Sequence, residues 1–97
     1  MKSMKKIEVI IEAIYVNKLL EIFANHNISG YTIIRDIEGL GAHGLKTADD
    51  ACDLFSNNYI FTVCEEEIFL FMKEDIRAFV QKYGGKCIVI DTMVMLS

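Results

Sequence analysis

A chain of 97 residues has room for one hydrophobic core, so a single domain over 1–97 is expected. Its 14 acids outnumber its 10 Lys and Arg for a net charge of −4, and no basic run is present, which excludes a nucleic-acid partner. No apolar stretch reaches the ~20 residues that cross a bilayer, and Glu8 and Glu12 interrupt the basic-then-apolar start; a soluble, cytoplasmic protein without direct membrane insertion is expected.

"KKIEVIIEAI" (5–14) sets Ile7, Val9, Ile11 and Ala13 against Glu8, Ile10, Glu12 and Ile14. Period two with β-branched residues predicts a first strand. The period then changes: Val16, Leu19, Leu20 and Phe23 mark one face of a helix, with Asn17 as its N-cap and Asn27 or the following Ile-Ser-Gly as its end. "GYTIIRDI" (30–37) predicts a second strand.

Next comes "EGLGAHGLK" (38–46), which holds three of the six glycines. It leads into a polar stretch without a sustained period, so a mobile loop is expected at about 42–57. "YIFTV" (59–63) predicts a third strand. A second helix follows, lined on one face by Ile68, Phe71, Met72, Ile76, Phe79, Val80 and Tyr83. Glu65–Glu67 suit its positive end, and Gly84 and Gly85 stop it. "KCIVIDTMVML" (86–96) closes the chain as an apolar strand.

The order βαββαβ predicts an α+β, ferredoxin-like fold: an antiparallel sheet with both helices on one face. The other face should then be polar in a monomer. Here it offers Ile10, Ile14, Tyr59, Phe61, Val63 and much of the last strand. An apolar open face predicts a partner, and identical subunits are its usual source.

Two glycine clusters are candidate sites. Gly39, Gly41 and Gly44 leave a strand for a loop, which excludes a dinucleotide fingerprint, and no Gly-Lys-Ser/Thr follows, which excludes a Walker loop. Exposed glycine amides can still cradle an anion. "YGGKC" (83–87) places Lys86 beside two more glycines. The helix-stop reading of that pair is sufficient by itself. Cys52, Cys64 and Cys87 form no CxxC pair; Cys64 and Cys87 sit in apolar runs as core residues. His26, near a helix end, has a capping or surface role.

"KKIEVIIEAI", "NISGYTIIRDIEGLGAHG" and "YGGKCIVID" together resemble the PII signal-transduction superfamily. Nearest is the PII-like branch associated with carboxysomes and bicarbonate transporters. The resemblance implies a homotrimer with its sheets facing inward and ligand sites in the clefts between subunits. It implies AMP, ADP, ATP or bicarbonate as ligands, none an obligatory cofactor, and a transporter or enzyme partner docked through the loop after the second strand. It implies no catalytic residue.

Carried over, Thr32 faces the adenine, the amides around Val63 and Cys64 flank the base, and Gly39 and Gly41 approach the ligand with their backbone. Gly84, Gly85 and Lys86 take the phosphate end, and His43 and Lys46 are further loop contacts. The family's arginine after Gly-x-Gly is replaced by Ala42-His43-Gly44, and its basic C-terminal residues have no counterpart up to Ser97. A nucleotide with few phosphates, bicarbonate, or no ligand therefore fits better than ATP. The rivals are a CutA-like metal-handling trimer, using His43, Cys52, Asp49, Asp50 and Asp53, and a structural trimer without a small ligand. An acylphosphatase would need an Arg-containing phosphate loop after the first strand, which "AIYVN" does not offer.

Overall fold

The computed structural model describes residues 1–41, 44–46 and 56–95. Strand β1 spans Lys2–Glu12, and a single 3-10 turn over Ala13–Tyr15 leads straight into helix α1, Val16–Asn25. Strand β2 is Thr32–Ile37, and a small ribbon of β3 (Gly39–Gly41) and β4 (Gly44–Lys46) follows. Strand β5 is Asn57–Cys64, helix α2 is Glu66–Tyr83, and strand β6 is Lys86–Val94. The four long strands form one sheet in the order β2-β5-β1-β6, every neighbouring pair antiparallel. This is the expected βαββαβ arrangement, with the β3–β4 ribbon as an addition.

The core lies between the sheet and the two helices. From β1 and β5 it takes Ile7, Val9, Ile11, Ile60 and Cys64. From the helices it takes Val16, Leu19, Phe23, Met72, Ile76 and Phe79. Strict alternation puts Ile7, Val9 and Ile11 under the helices because successive strand side chains point to opposite faces. Two polar residues of β5 share that buried face, and each is used. Thr62 Oγ1 donates to the Gly30 carbonyl at 2.6 Å, and Asn58 Oδ1 accepts the Asp36 N–H at 3.2 Å. The second contact holds a bulge: pairing with β5 shifts between Ile34 and Ile37, and Asp36 has φ +58°. A bulge bends its strand, and here it lies just before the ribbon.

Several local expectations are corrected. Asn17 is not the N-cap of α1. The 3-10 turn already gives the Val16 N–H an acceptor, the Ala13 carbonyl, so the helix begins without a side-chain cap. Ala13 and Ile14 belong to that turn and not to β1, and Ile14 is exposed. Phe71 does not line the buried face of α2. It is 80% exposed, while Ile68 and Phe69 pack on the core beside Met72. The end of α1 is as expected: Asn27 has φ +61°, and its N–H reaches the Ala24 carbonyl at 3.2 Å.

Candidate functional site

Strand register locates each predicted site residue. Thr32 stands opposite Phe61 on the open face, exposed, with Val63 the next β5 residue on that face. Such diagonal neighbours lie about 7–8 Å apart, so Thr32 and Val63 form one group. Cys64 contributes only backbone there. Its side chain is buried under the helices, and burial pushes its thiol pKa up. Burial does the same to the Cys87 thiol.

Gly39 and Gly41 lie in β3, paired with Lys46 and Gly44 of β4. These glycines thus belong to a paired two-stranded ribbon. A Cβ at Gly39 would meet nothing within 4 Å, so this backbone is open to approach. His43 lies outside the described residues, as do Cys52, Asp49, Asp50 and Asp53 of the metal-handling rival. Most of the loop expected at about 42–57 is outside them too, whereas Ser56 is buried and Asn57 begins β5. Among the described residues no cluster of three or more His, Cys, Asp or Glu is placed to hold a metal ion.

Gly84 and Gly85 have φ +80° and +87°, a region L side chains rarely adopt. The Gly84 N–H closes α2 on the Val80 carbonyl at 2.8 Å. Gly85 presses on β1: a Cβ there would lie 2.4 Å from the Ile10 carbonyl oxygen. Both glycines therefore have a structural reason to be glycine. Lys86 follows, exposed, opposite Ile10.

One chain does not bring these groups together. Lys86, Ile10, Tyr59 and Ile34 form one row across the sheet. The β6 and β2 edges are thus three inter-strand spacings apart, about 14 Å. Along β6, Lys86 lies four residues from Ile90, which is level with Val63; four residues span about 13 Å. The Thr32–Val63 pair, the β3–β4 ribbon and the Gly84–Lys86 turn occupy separate places on one subunit.

The open face is less apolar than the sequence suggested. Ile10, Phe61, Val63, Ile88 and Ile90 lie on it, but Lys6 and Glu8 occupy its middle. Tyr59 Oη donates to Glu8 Oε2, Lys6 Nζ lies 3.2 Å from the same oxygen, and Lys6 sits 4.6 Å from the Phe61 ring centroid. The Tyr59 hydrogen bond, then Lys6, holds the Glu8 carboxyl below the usual carboxylate range. Burial, then Glu8, raises the Tyr59 pKa. The shared signal in the sequence was the i, i+2 spacing of Lys6 and Glu8; Tyr59 joins only through register.

A recess of about 700 Å³ opens at the far end of the sheet beside Lys5, Glu66 and Asp91, and no predicted site residue lines it. Lys5 is already paired there with Asp91 and, at 3.9 Å, with Glu66. Among the described residues no helix is long and apolar enough to cross a membrane.

The family model described as nitrogen regulatory protein P-II matches residues 4–95. Among solved structures, the chain resembles CPII of Thiomonas intermedia K12, a nitrogen regulatory PII-like protein bound to ADP, AMP and bicarbonate. The TM-score is 0.88 at 24% identity, covering 95% of this chain and 88% of that one. The apo form of CPII gives 0.74 at 22% identity, covering 95% and 91%. A putative PII-like signalling protein of Thermus thermophilus gives 0.79 at 20% identity, covering 96% and 90%. No curated protein sequence matches.

Proposed function

Since the chain belongs to the nitrogen regulatory protein P-II family, whose members are signalling regulators and not enzymes, we propose that it senses an adenine nucleotide, bicarbonate or both in clefts between the subunits of a homotrimer. Binding there controls a transporter or enzyme that docks on the loop beyond β4. One observation carries this reading: the three ligand groups are dispersed over one subunit. Thr32 and Val63 lie toward one end of the sheet, Lys86 begins the β6 edge, and Gly39 follows the opposite edge. Packing subunits against one another is the arrangement that turns such separated groups into one site. The ligands bound by CPII support the choice of adenine nucleotide and bicarbonate.

Each group has a chemical task in this cleft. Thr32 offers a hydroxyl to the base edge. Gly39 presents open backbone. Lys86 supplies charge at the phosphate end. With one lysine and no family arginine there, charge-assisted contacts are few. AMP or ADP should bind at least as well as ATP, at roughly micromolar affinity. Calorimetry with AMP, ADP, ATP and bicarbonate on the wild type, Gly39→Val and Lys86→Ala tests the reading. Both variants should weaken nucleotide binding while leaving the assembly intact. No binding of any of the four at millimolar concentration removes the proposed site, and a strong preference for ATP contradicts the account of its phosphate end.

A further inference from the structure

We propose a second binding site, on the helix layer, that takes a doubly charged phosphate group between Lys18 of α1 and Lys82 of α2 beside Tyr83. It uses none of the cleft residues and does not rest on the cleft reading. The two ammonium groups lie 5.6 and 5.3 Å from the centroid of the same Tyr83 ring. Neither lysine has an ion-pair partner among the described residues, a state shared by Arg35, Lys73 and Lys86; what sets Lys18 and Lys82 apart is that both lie at one ring. Glu21, three residues along α1, is the usual kind of helical partner for Lys18, yet Lys18 turns to the ring. Two like charges held near one ring repel, and a net charge of −4 makes such a pairing more conspicuous.

The ring is a fixed platform. Tyr15 lies against it, tilted by 33° with centroids 4.7 Å apart, and Phe79 packs at 5.2 Å. Tyr15 and Tyr83 are half-buried against the core, so the ring cannot follow a moving lysine. Neither phenol donates a hydrogen bond to another described residue. The arrangement thus offers two ammonium groups at one ring, across the start of α1 and the end of α2. A single charge could be met by one lysine; a group with two charges and several acceptor oxygens suits both. Exposed cation–π contacts are weak, so the lysines can swing from the ring to a bound phosphate.

Lys86 lies on the other side of the sheet. It pairs in register with Ile10, on the open face, whereas Tyr83 packs in the helix layer. That separation makes the site testable apart from the cleft. Aromatic-ring NMR of the full chain should show saturable shifts of Tyr83 and Tyr15 with inorganic phosphate, pyrophosphate or AMP. Sodium chloride at matched ionic strength should not produce them. The double variant Lys18→Gln/Lys82→Gln should weaken binding by roughly tenfold or more, and Lys73→Gln, on an exposed position of the same helix as Lys82, should leave it unchanged. Inorganic phosphate binding as tightly as AMP supports the site with free phosphate as its ligand; tighter AMP binding that the double variant abolishes supports it with a nucleotide phosphate. Shifts reproduced by chloride, retained in the double variant, or lost equally in Lys73→Gln overturn it.

Discussion

Replacing Gly85 with alanine isolates what the α2–β6 turn requires. The added Cβ would lie 2.4 Å from the Ile10 carbonyl oxygen and 2.7 Å from Ile11 Cδ1. The first neighbour is strand backbone, and the second is a core side chain, so neither yields freely. Holding an L residue at φ +87° costs about 1–2 kcal/mol, and overpacking adds about 1–3 kcal/mol. Against these, alanine restricts the unfolded chain and returns about 0.4–1 kcal/mol. The net loss should be about 2–4 kcal/mol, or roughly 10–20 °C in Tm for a domain of this size. Gly39→Ala is the control: nothing lies within 4 Å of its Cβ, so it should stay within about 1 kcal/mol of the wild type. Thermal and urea unfolding at one fixed protein concentration reads both, since assembly makes Tm concentration-dependent. A Gly85→Ala protein within about 2 °C of the wild type would refute the reasoning. The expected result also means that lost ligand binding in Gly85→Ala says nothing about ligand contact, whereas lost binding in a Gly39 variant does.

Three further outcomes are expected. Glu8 has a folded pKa below its ordinary 4.5, so its stabilisation is complete above that value and is lost as pH falls through the folded one. Tyr59→Phe should therefore lower stability by about 1 kcal/mol at pH 7 and flatten the acid limb of a stability–pH curve; an unchanged limb contradicts the Glu8–Tyr59 assignment. Thr62→Val removes the bond to the Gly30 carbonyl and should cost about 1 kcal/mol in urea unfolding; no loss means that the bond adds nothing to stability. Ile10→Asp places a charge on the open face and should reduce the mass seen by light scattering, because an unpaired buried charge is costly; an undiminished assembly places Ile10 outside the interface.

Sequence pattern carried the fold because the core follows simple periods. Ile7, Val9 and Ile11 alternate, and Met72, Ile76, Phe79 and Tyr83 recur at helical spacing. Phe71 was misplaced because its neighbour Met72, 100° around the helix, takes the core-facing position. Asn17 has the side chain of a cap, but the 3-10 turn before α1 removed the need for one. The bulge at Asp36 was illegible because it depends on Asn58, 22 residues away. The same holds for Tyr59 on Glu8 and for Lys18 and Lys82 at Tyr83, which meet only after the strands register and the helices pack. For the candidate site, spacing alone marked the glycine clusters. Their roles came from family resemblance, because the residues concerned are not neighbours within one chain.

The central claim is that each ligand site is completed by two subunits, and mixed assemblies test it most directly. Gly39→Val and Lys86→Ala chains, each deficient in nucleotide binding alone, are unfolded together, refolded at equal ratio, and titrated with ADP by calorimetry. If Gly39 of one subunit and Lys86 of its neighbour serve one cleft, random mixing restores roughly one site in four at wild-type affinity. If both residues serve a site within a single chain, every site keeps one defect. No wild-type affinity then returns, and the inter-subunit account is contradicted.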